Sequence, residues 1–152
     1  QHSFSTQITD LDNIQNPSIH SLLSSKYHEA QMHRLNIHAE IPDPVIHNYL
    51  TDLDLAVVLG HLMDNAIDGA RKASEGFISL AYFDEEDCQS FIIESTIAEE
   101  QVPLSMMSTQ LSHPEGGIGV NAVQDILERY PNTSFSVRSQ NHKMMQILEM
   151  RP

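Results

Sequence analysis

The segment TDLDLAVVLGHLMDNAIDGARKA, from Thr51 to Ala73, constrains this chain more than any other. Thr51 or Asp52 can cap a helix over about 52–73, because a short side-chain oxygen accepts from the free N–H groups of a first turn. Leu55, Val58, Leu62, Ala66, Gly69 and Ala73 recur at helical spacing and form one apolar stripe. His61, Asn65, Asp68 and Lys72 fall at i, i+4, i+7 and i+11 and form a second, polar stripe. Asn and Asp cost several tenths of a kcal/mol each in a helix interior relative to Ala, and a merely solvated face more often carries Glu, Lys and Arg. The polar stripe is therefore either a wet helix face or the floor of a ligand site. In the second case an amide oxygen on a rigid helix suits a hydrated Mg2+, which prefers oxygen ligands and keeps waters.

The flanking segments supply the rest of a fold. Asn16-Pro17 reads as N-cap and first residue of an earlier helix, with Ile19, Leu22, Leu23, Tyr27 and Ala30 inward and an end near His33. NIHAEI (36–41) alternates like a strand and stops at Pro42 and Pro44. FISLAYF (77–83), DEED (84–87) and QSFIIEST (89–96) read as strand, turn, strand. The pattern fades from Ile97 to Glu115, a length of loop that is usually functional in a compact domain; Met106 and Met107 within it are suited to covering a site. GGIGVNAVQDILERYPN then runs from glycines into a helix with Val120, Val123, Ile126 and Leu127 inward, stopped by Pro131-Asn132. TSFSVRS (133–139) and MMQILEM (144–150) form a closing hairpin around QNHK. This order predicts helices on one face of a mixed, mostly antiparallel sheet, a two-layer α/β sandwich.

Composition narrows the function. The 152 residues are 40% hydrophobic and suit one domain with a core. No apolar run reaches the roughly 18 residues of a membrane span. The start, QHSFSTQITDLDNIQ, lacks the pattern of a signal peptide, and without an initial Met the chain is expected to be part of a longer protein. The single Cys88 can form no internal disulfide, which fits a reducing compartment. A formal net charge of -13 argues against nucleic acid as a partner. Nine histidines are scattered without zinc-site spacing, and most are expected at the surface. GGIGV (116–120) is either a plain loop before a helix or a phosphate cradle, since glycines allow close backbone approach and the following helix offers free N–H groups. Neither the P-loop pattern nor a complete G-x-G-x-x-G is present.

The combination of a polar, Asn-bearing helix, a hairpin, a long loop and a glycine turn opening a helix resembles the ATP-binding domain of the GHKL superfamily, of the Bergerat type. HLMDNAIDGA fits that superfamily's N-x-x-x-N-A-x-x-A box with His61 in the first place, and Gly117 and Gly119 match its second glycine box after a lid at 98–115. More narrowly, NPSIHSLLSSKYHEAQMHRLNI, LGHLMDNAIDGA and GGIGVNAVQDILERYPN resemble the peptide-pheromone (quorum-sensing) receptor histidine kinases of Gram-positive bacteria, over about residues 15–150. The resemblance implies the catalytic domain of a two-component sensor histidine kinase. Its ATP γ-phosphoryl would go to a histidine on an upstream dimerisation helix and from there to an aspartate of a cognate response regulator. Whether that helix belongs to the same or the partner subunit stays open. The resemblance further implies residues 1–34 as the end of the dimerisation and linker region and 35–152 as the catalytic domain. It implies a full-length homodimer and a cytoplasmic position for this domain in a membrane-anchored receptor. The acceptor histidine is expected outside this chain: His2 lies too near the Asn-Pro helix, and His20, His28 and His33 lie on it.

Carried over residue by residue, the resemblance makes Asn65 the Mg2+ ligand and places Asp68 at the nucleotide. His61 stands where the family has Asn or Glu and, with Asn65, is expected to take part in catalysis by orienting a water or the metal. Ser95, in Ile93-Glu94-Ser95-Thr96, occupies the adenine-reading position, where the family has Asn. The backbone of Gly117, Ile118, Gly119 and Val120 would hold the β- and γ-phosphates, and Ile67, Ile93 and Ile97 would line the base pocket. Lys72 or Arg71 could add a cation, against the plainer reading of both as solvated. ATP and Mg2+ are the implied cofactors. The alternative is a degenerate interaction module of the same fold with weak or lost nucleotide binding. An anti-sigma-factor serine kinase is a more distant third, disfavoured by the Asn-Pro helix.

Overall fold

The computed structural model describes residues 10–101 and 119–152. Its elements are α1 (Pro17–Met32), β1 (Asn36–Glu40), α2 (Asp52–Lys72), β2 (Phe77–Glu85), β3 (Cys88–Thr96), α3 (Gly119–Glu128), β4 (Thr133–Gln140) and β5 (Lys143–Met150). The five strands form one sheet in the order β1-β2-β3-β5-β4. β1 and β2 are parallel and every other pair is antiparallel, so the mixed, mostly antiparallel sheet expected from the sequence is the one observed. The stretch from residue 102 through Ile118, including Met106, Met107, Gly117 and most of the expected lid, lies outside the described residues.

Local chemistry sets the helix starts. Asn16 Oδ1 accepts from the backbone N–H of Ser18 at 2.9 Å and of Ile19 at 3.2 Å, with Pro17 in the first turn. Thr51 Oγ1 accepts from Asp54 N–H at 3.2 Å. Asp52 and Asp54 stand at the positive end of the α2 dipole and Arg71 and Lys72 at its negative end. The two helices lie side by side and run the same way: Asn16 Nδ2 donates to Asp52 Oδ1 at 2.9 Å near their starts, and Lys26 Nζ to Asp64 Oδ1 at 2.7 Å farther along.

The apolar face of α2 is wider than one stripe. Leu59, Met63, Ile67 and Ala70 are buried along with Leu55, Val58, Leu62 and Ala66, because α1 covers one flank while the sheet takes the other. Ala73, expected in the stripe, is instead the C-cap residue and only half-buried. Alternate strand residues face the helices: Ile37 and Ala39, then Ile78, Leu80 and Tyr82, then Phe91 and Ile93, then Leu148 and Met150. Ile19, Leu23, Tyr27 and Ala30 of α1 share that main core, and Ile97 and Met144 form a smaller cluster of their own. The β4–β5 hairpin turns through Asn141 and His142, both at positive φ (54° and 62°), the backbone signature of a tight two-residue turn matched to strand twist. No helix among the described residues is long and apolar enough to cross a membrane.

Candidate functional site

Three polar side chains occupy inward positions of the sheet where the alternation calls for apolar ones: Gln89 and Ser95 on β3 and Gln146 on β5, all fully buried. Gln89 lies at the far end and donates to the carbonyl of His47 at 2.6 Å. Ser95 and Gln146 lie under the polar stripe of α2. Gln146 Nε2 donates to the carbonyl of Leu62 at 3.0 Å, and Gln146 Oε1 accepts from Asn65 Nδ2 at 3.3 Å. Asn65 is thus tied to the central part of the sheet across 81 positions of sequence.

Ser95 Oγ is buried and has no hydrogen-bond partner among the described residues, so a donor or acceptor brought to it would relieve an unmet polar group. Gly69, one turn beyond Asn65, makes the close approach of α2 to the end of β3 possible. A Cβ there would stand 3.0 Å from Ile97 Cγ2, 3.3 Å from Thr96 O and 3.9 Å from Ser95 Oγ. Asn65, Gly69, Ser95 and Gln146 therefore belong to one locality, bordered by the buried Ile67, Ile93 and Ile97.

The remaining expected residues divide. His61 and Asp68 are half-buried on the same stripe as Asn65. Gly119 and Val120 open α3, while Gly117 and Ile118 lie outside the described residues. Arg71 and Lys72 are exposed. The run of polar residues in HLMDNAIDGA separates onto two sides: Asp64 turns toward α1 and pairs with Lys26. Burial of that ammonium works against its charge, but the Asp64 hydrogen bond and the charges of Asp64 and Glu29 outweigh it and hold the Lys26 pKa above its ordinary value. None of the described histidines is buried.

A second polar network pins α3. Tyr130 Oη donates to Asp54 Oδ2 at 2.6 Å and accepts from Thr51 N–H at 3.2 Å, while Arg129 donates to Asp54 Oδ1 at 3.2 Å. The Tyr130 hydrogen bond, more than any other cause, pulls the Asp54 carboxyl below its usual pKa, with Thr51 and Arg129 adding to it against partial desolvation. Asn132 Nδ2 donates to Pro152 O at 2.6 Å. The tyrosine-proline-asparagine run thus anchors the C-terminal end of α3 to the start of α2 and to the end of β5. Sequence reasoning missed Gln146, Asp54 and Lys26 as partners. The available signal was a Gln at an inward strand position between Met144 and Leu148.

An amide oxygen, water and phosphate oxygens together make a donor set suited to Mg2+. Among the described residues no group of three or more His, Cys, Asp and Glu side chains comes together, so a cation at Asn65 would need most of its ligands from phosphate and water. One open depression of about 470 Å³ lies on the outer sheet face beside Glu94, Arg138 and Met145, and another of about 360 Å³ lies past the end of α2 beside Lys72, Thr96, Ile97 and His142, at the Ile97 border of this locality.

A sequence-family profile described as GHKL domain matches residues 50–151. No curated protein matches the chain in sequence. Among solved structures, the catalytic domain of histidine kinase ThkA in a nucleotide-free form superposes with a TM-score of 0.70 at 13% identity, covering 88% of this chain and 89% of that one. The Acinetobacter baumannii histidine kinase AdeS gives 0.65 at 16% identity over 88% of this chain and 62% of its own. The histidine kinase domain of the Erythrobacter litoralis EL346 blue-light activated histidine kinase gives 0.63 at 12% identity over 84% and 59%. At these identities the likeness is one of fold: a five-stranded sheet with helices on one face.

Proposed function

Because the chain belongs to the GHKL domain family, we propose that it is the ATP-binding catalytic domain of a two-component sensor histidine kinase, of the peptide-pheromone receptor type. The observation that carries this reading is the anchoring of Asn65 to Gln146 on β5, in the locality that also holds the buried Ser95. α3 is pinned at its C-terminal end to Asp54 and packs on α2. Its 10 residues span about 15 Å, close to the rise of about 16 Å from Asp54 to Asn65 at about 1.5 Å per residue. The lengths allow the N-terminus of α3 to reach the level of Asn65.

Phosphoryl transfer asks mainly for positioning and charge neutralisation. Backbone N–H groups at Gly119 and Val120, with Gly117 and Ile118 before them, would hold the β- and γ-phosphates with help from the helix dipole. Asn65 Oδ1 would hold Mg2+, which when bound neutralises phosphate charge. His61 and Asp68 would orient water around it, and Ser95 would meet the adenine edge with a hydroxyl that can donate or accept. The γ-phosphoryl would pass to a histidine on an upstream dimerisation helix, then to a response regulator. The full-length receptor would be a membrane-anchored homodimer with this domain in the cytoplasm. Residues 1–34 would serve as the end of the dimerisation and linker region and 35–152 as the catalytic domain proper. On that division α1 would be linker by role while sharing the catalytic core by packing.

Calorimetric titration with Mg-ADP or Mg-ATP tests the proposal. Expected is binding between tens of micromolar and millimolar, about -4 to -6 kcal/mol, lost in Asn65→Ala. No heat and no thermal shift at saturating millimolar nucleotide would sink it. That outcome would instead favour an interaction module that keeps the fold without the ligand, a reading for which Ser95 in the adenine-reading position and His61 in the first place of the Asn box speak.

A further inference from the structure

We propose that Gln146 is a positioning residue that fixes which way the Asn65 amide faces and thereby sets the cation affinity of the site. This rests on the nucleotide reading given above. Gln146 is fully buried on the inward face of β5, and a primary amide has donors on one side and an acceptor on the other. Its Nε2 lies 3.0 Å from the carbonyl of Leu62. A main-chain carbonyl only accepts, so the Gln146 nitrogen must face α2 at Leu62 and Oε1 must face Asn65. Oε1 also only accepts, so Asn65 must offer Nδ2, at 3.3 Å. Asn65 Oδ1 is then turned away from Gln146, and among the described residues it has no hydrogen-bond partner.

The chain of polarity runs from backbone to Gln146 to Asn65 and is anchored on a group that has no second orientation. Without it the Asn65 amide can rotate and present N–H groups, which repel a cation. Partners that orient a metal ligand typically change metal affinity about 10–100-fold. The expected consequence here is confined to the metal-dependent part of binding, because Gln146 itself is fully buried beneath α2 with its polar atoms on Leu62 and Asn65.

The test measures ADP affinity of the full chain by calorimetry with Mg2+ and with EDTA, and takes the ratio as the metal gain. Gln146→Met keeps length and apolar packing but removes donor and acceptor. Its metal gain is expected to fall about tenfold or more, with the affinity in EDTA essentially unchanged. Gln146→Glu restores the relay only when protonated, its O–H donating to Leu62 O and its C=O accepting from Asn65. Burial raises the pKa of a carboxyl, so its metal gain relative to wild type should recover as pH is lowered, while that of Gln146→Met stays low. A Gln146→Met protein with the wild-type metal gain overturns the inference, as does an equal loss with and without metal, which marks general damage. If Gln146→Met fails to fold, Gln146→Glu decides, and a metal gain that stays tenfold or more below wild type at every pH, the lowest included, overturns the inference. Wild-type protein that binds ADP in neither condition removes the nucleotide reading itself, and this inference with it. Selective failure of the metal ratio removes the inference alone.

Discussion

Helix α2 contains two glycines, and replacing each by alanine should have opposite results. Alanine in a helix interior is favoured over glycine by about 0.5–1 kcal/mol, through backbone entropy and propensity. At Gly60 a Cβ would meet only Leu22 Cδ1, at 3.7 Å, an ordinary contact. Gly60→Ala should therefore keep the whole gain. At Gly69 the Cβ would press to 3.0 Å from Ile97 Cγ2 and 3.3 Å from the carbonyl oxygen of Thr96. That strand end has little room to retreat. Thr96 Oγ1 donates to Glu75 O at 2.7 Å and accepts from Phe77 N–H at 3.0 Å, and Ile97 N–H donates to His142 O at 2.9 Å. Overpacking of this kind costs about 1–3 kcal/mol, which cancels or exceeds the helix gain. Gly69→Ala should fall between no change and a loss of about 2 kcal/mol. Urea unfolding followed by circular dichroism, at unchanged slope, reads both variants directly. In thermal unfolding each kcal/mol corresponds to about 2–4 °C for a chain of this size. A Gly69→Ala protein stabilised as much as Gly60→Ala would show that β3 yields freely and would refute the packing argument.

Two further outcomes concern the charged networks. The folded-state pKa of Asp54 is depressed, so its contribution to stability is present above the unfolded value of 3.8 and is lost as pH falls through the folded value. The gap in urea midpoint between wild type and Asp54→Asn should accordingly narrow as pH is lowered from 7 toward 3, and a constant gap would argue against the Tyr130 bond as its source. Lys26 pairs with Asp64 rather than facing the ligand locality, and Asp64 is 42% exposed at its side chain. Lys26→Met should cost less than about 1 kcal/mol and leave ADP affinity unchanged. A tenfold loss of affinity would instead place Lys26 in the nucleotide site.

Much of this architecture was legible because periodicity reports burial. The wide apolar face of α2, the alternation in 36–41 and the two hairpins all follow from which residues leave water. Asn16-Pro17 and Thr51 announce helix starts because caps act within a few residues. Gln146 pairing with Asn65, Tyr130 with Asp54 and Lys26 with Asp64 were not legible. Each joins positions far apart in sequence, and nothing local says which distant partner a polar group will meet. The same limit explains the stripe on α2. Its members could be counted from spacing, but that Asp64 leaves the locality for α1 while Asn65 stays depends on where α1 packs.

The order of strands in the sheet also has a consequence for how the chain is made. β5 comes last in sequence among the strands but lies between β3 and β4 in the sheet, and its Gln146, Leu148 and Met150 are wholly enclosed. During synthesis the earlier elements emerge with one edge of β3 bare and with Asn65 lacking the amide that orients it. Such long-range closure is slow relative to local helix formation. Until the final hairpin docks, the nascent domain exposes a strand edge open to foreign pairing. Docking of the β4–β5 hairpin thus covers that edge and completes the geometry of the candidate site in one step.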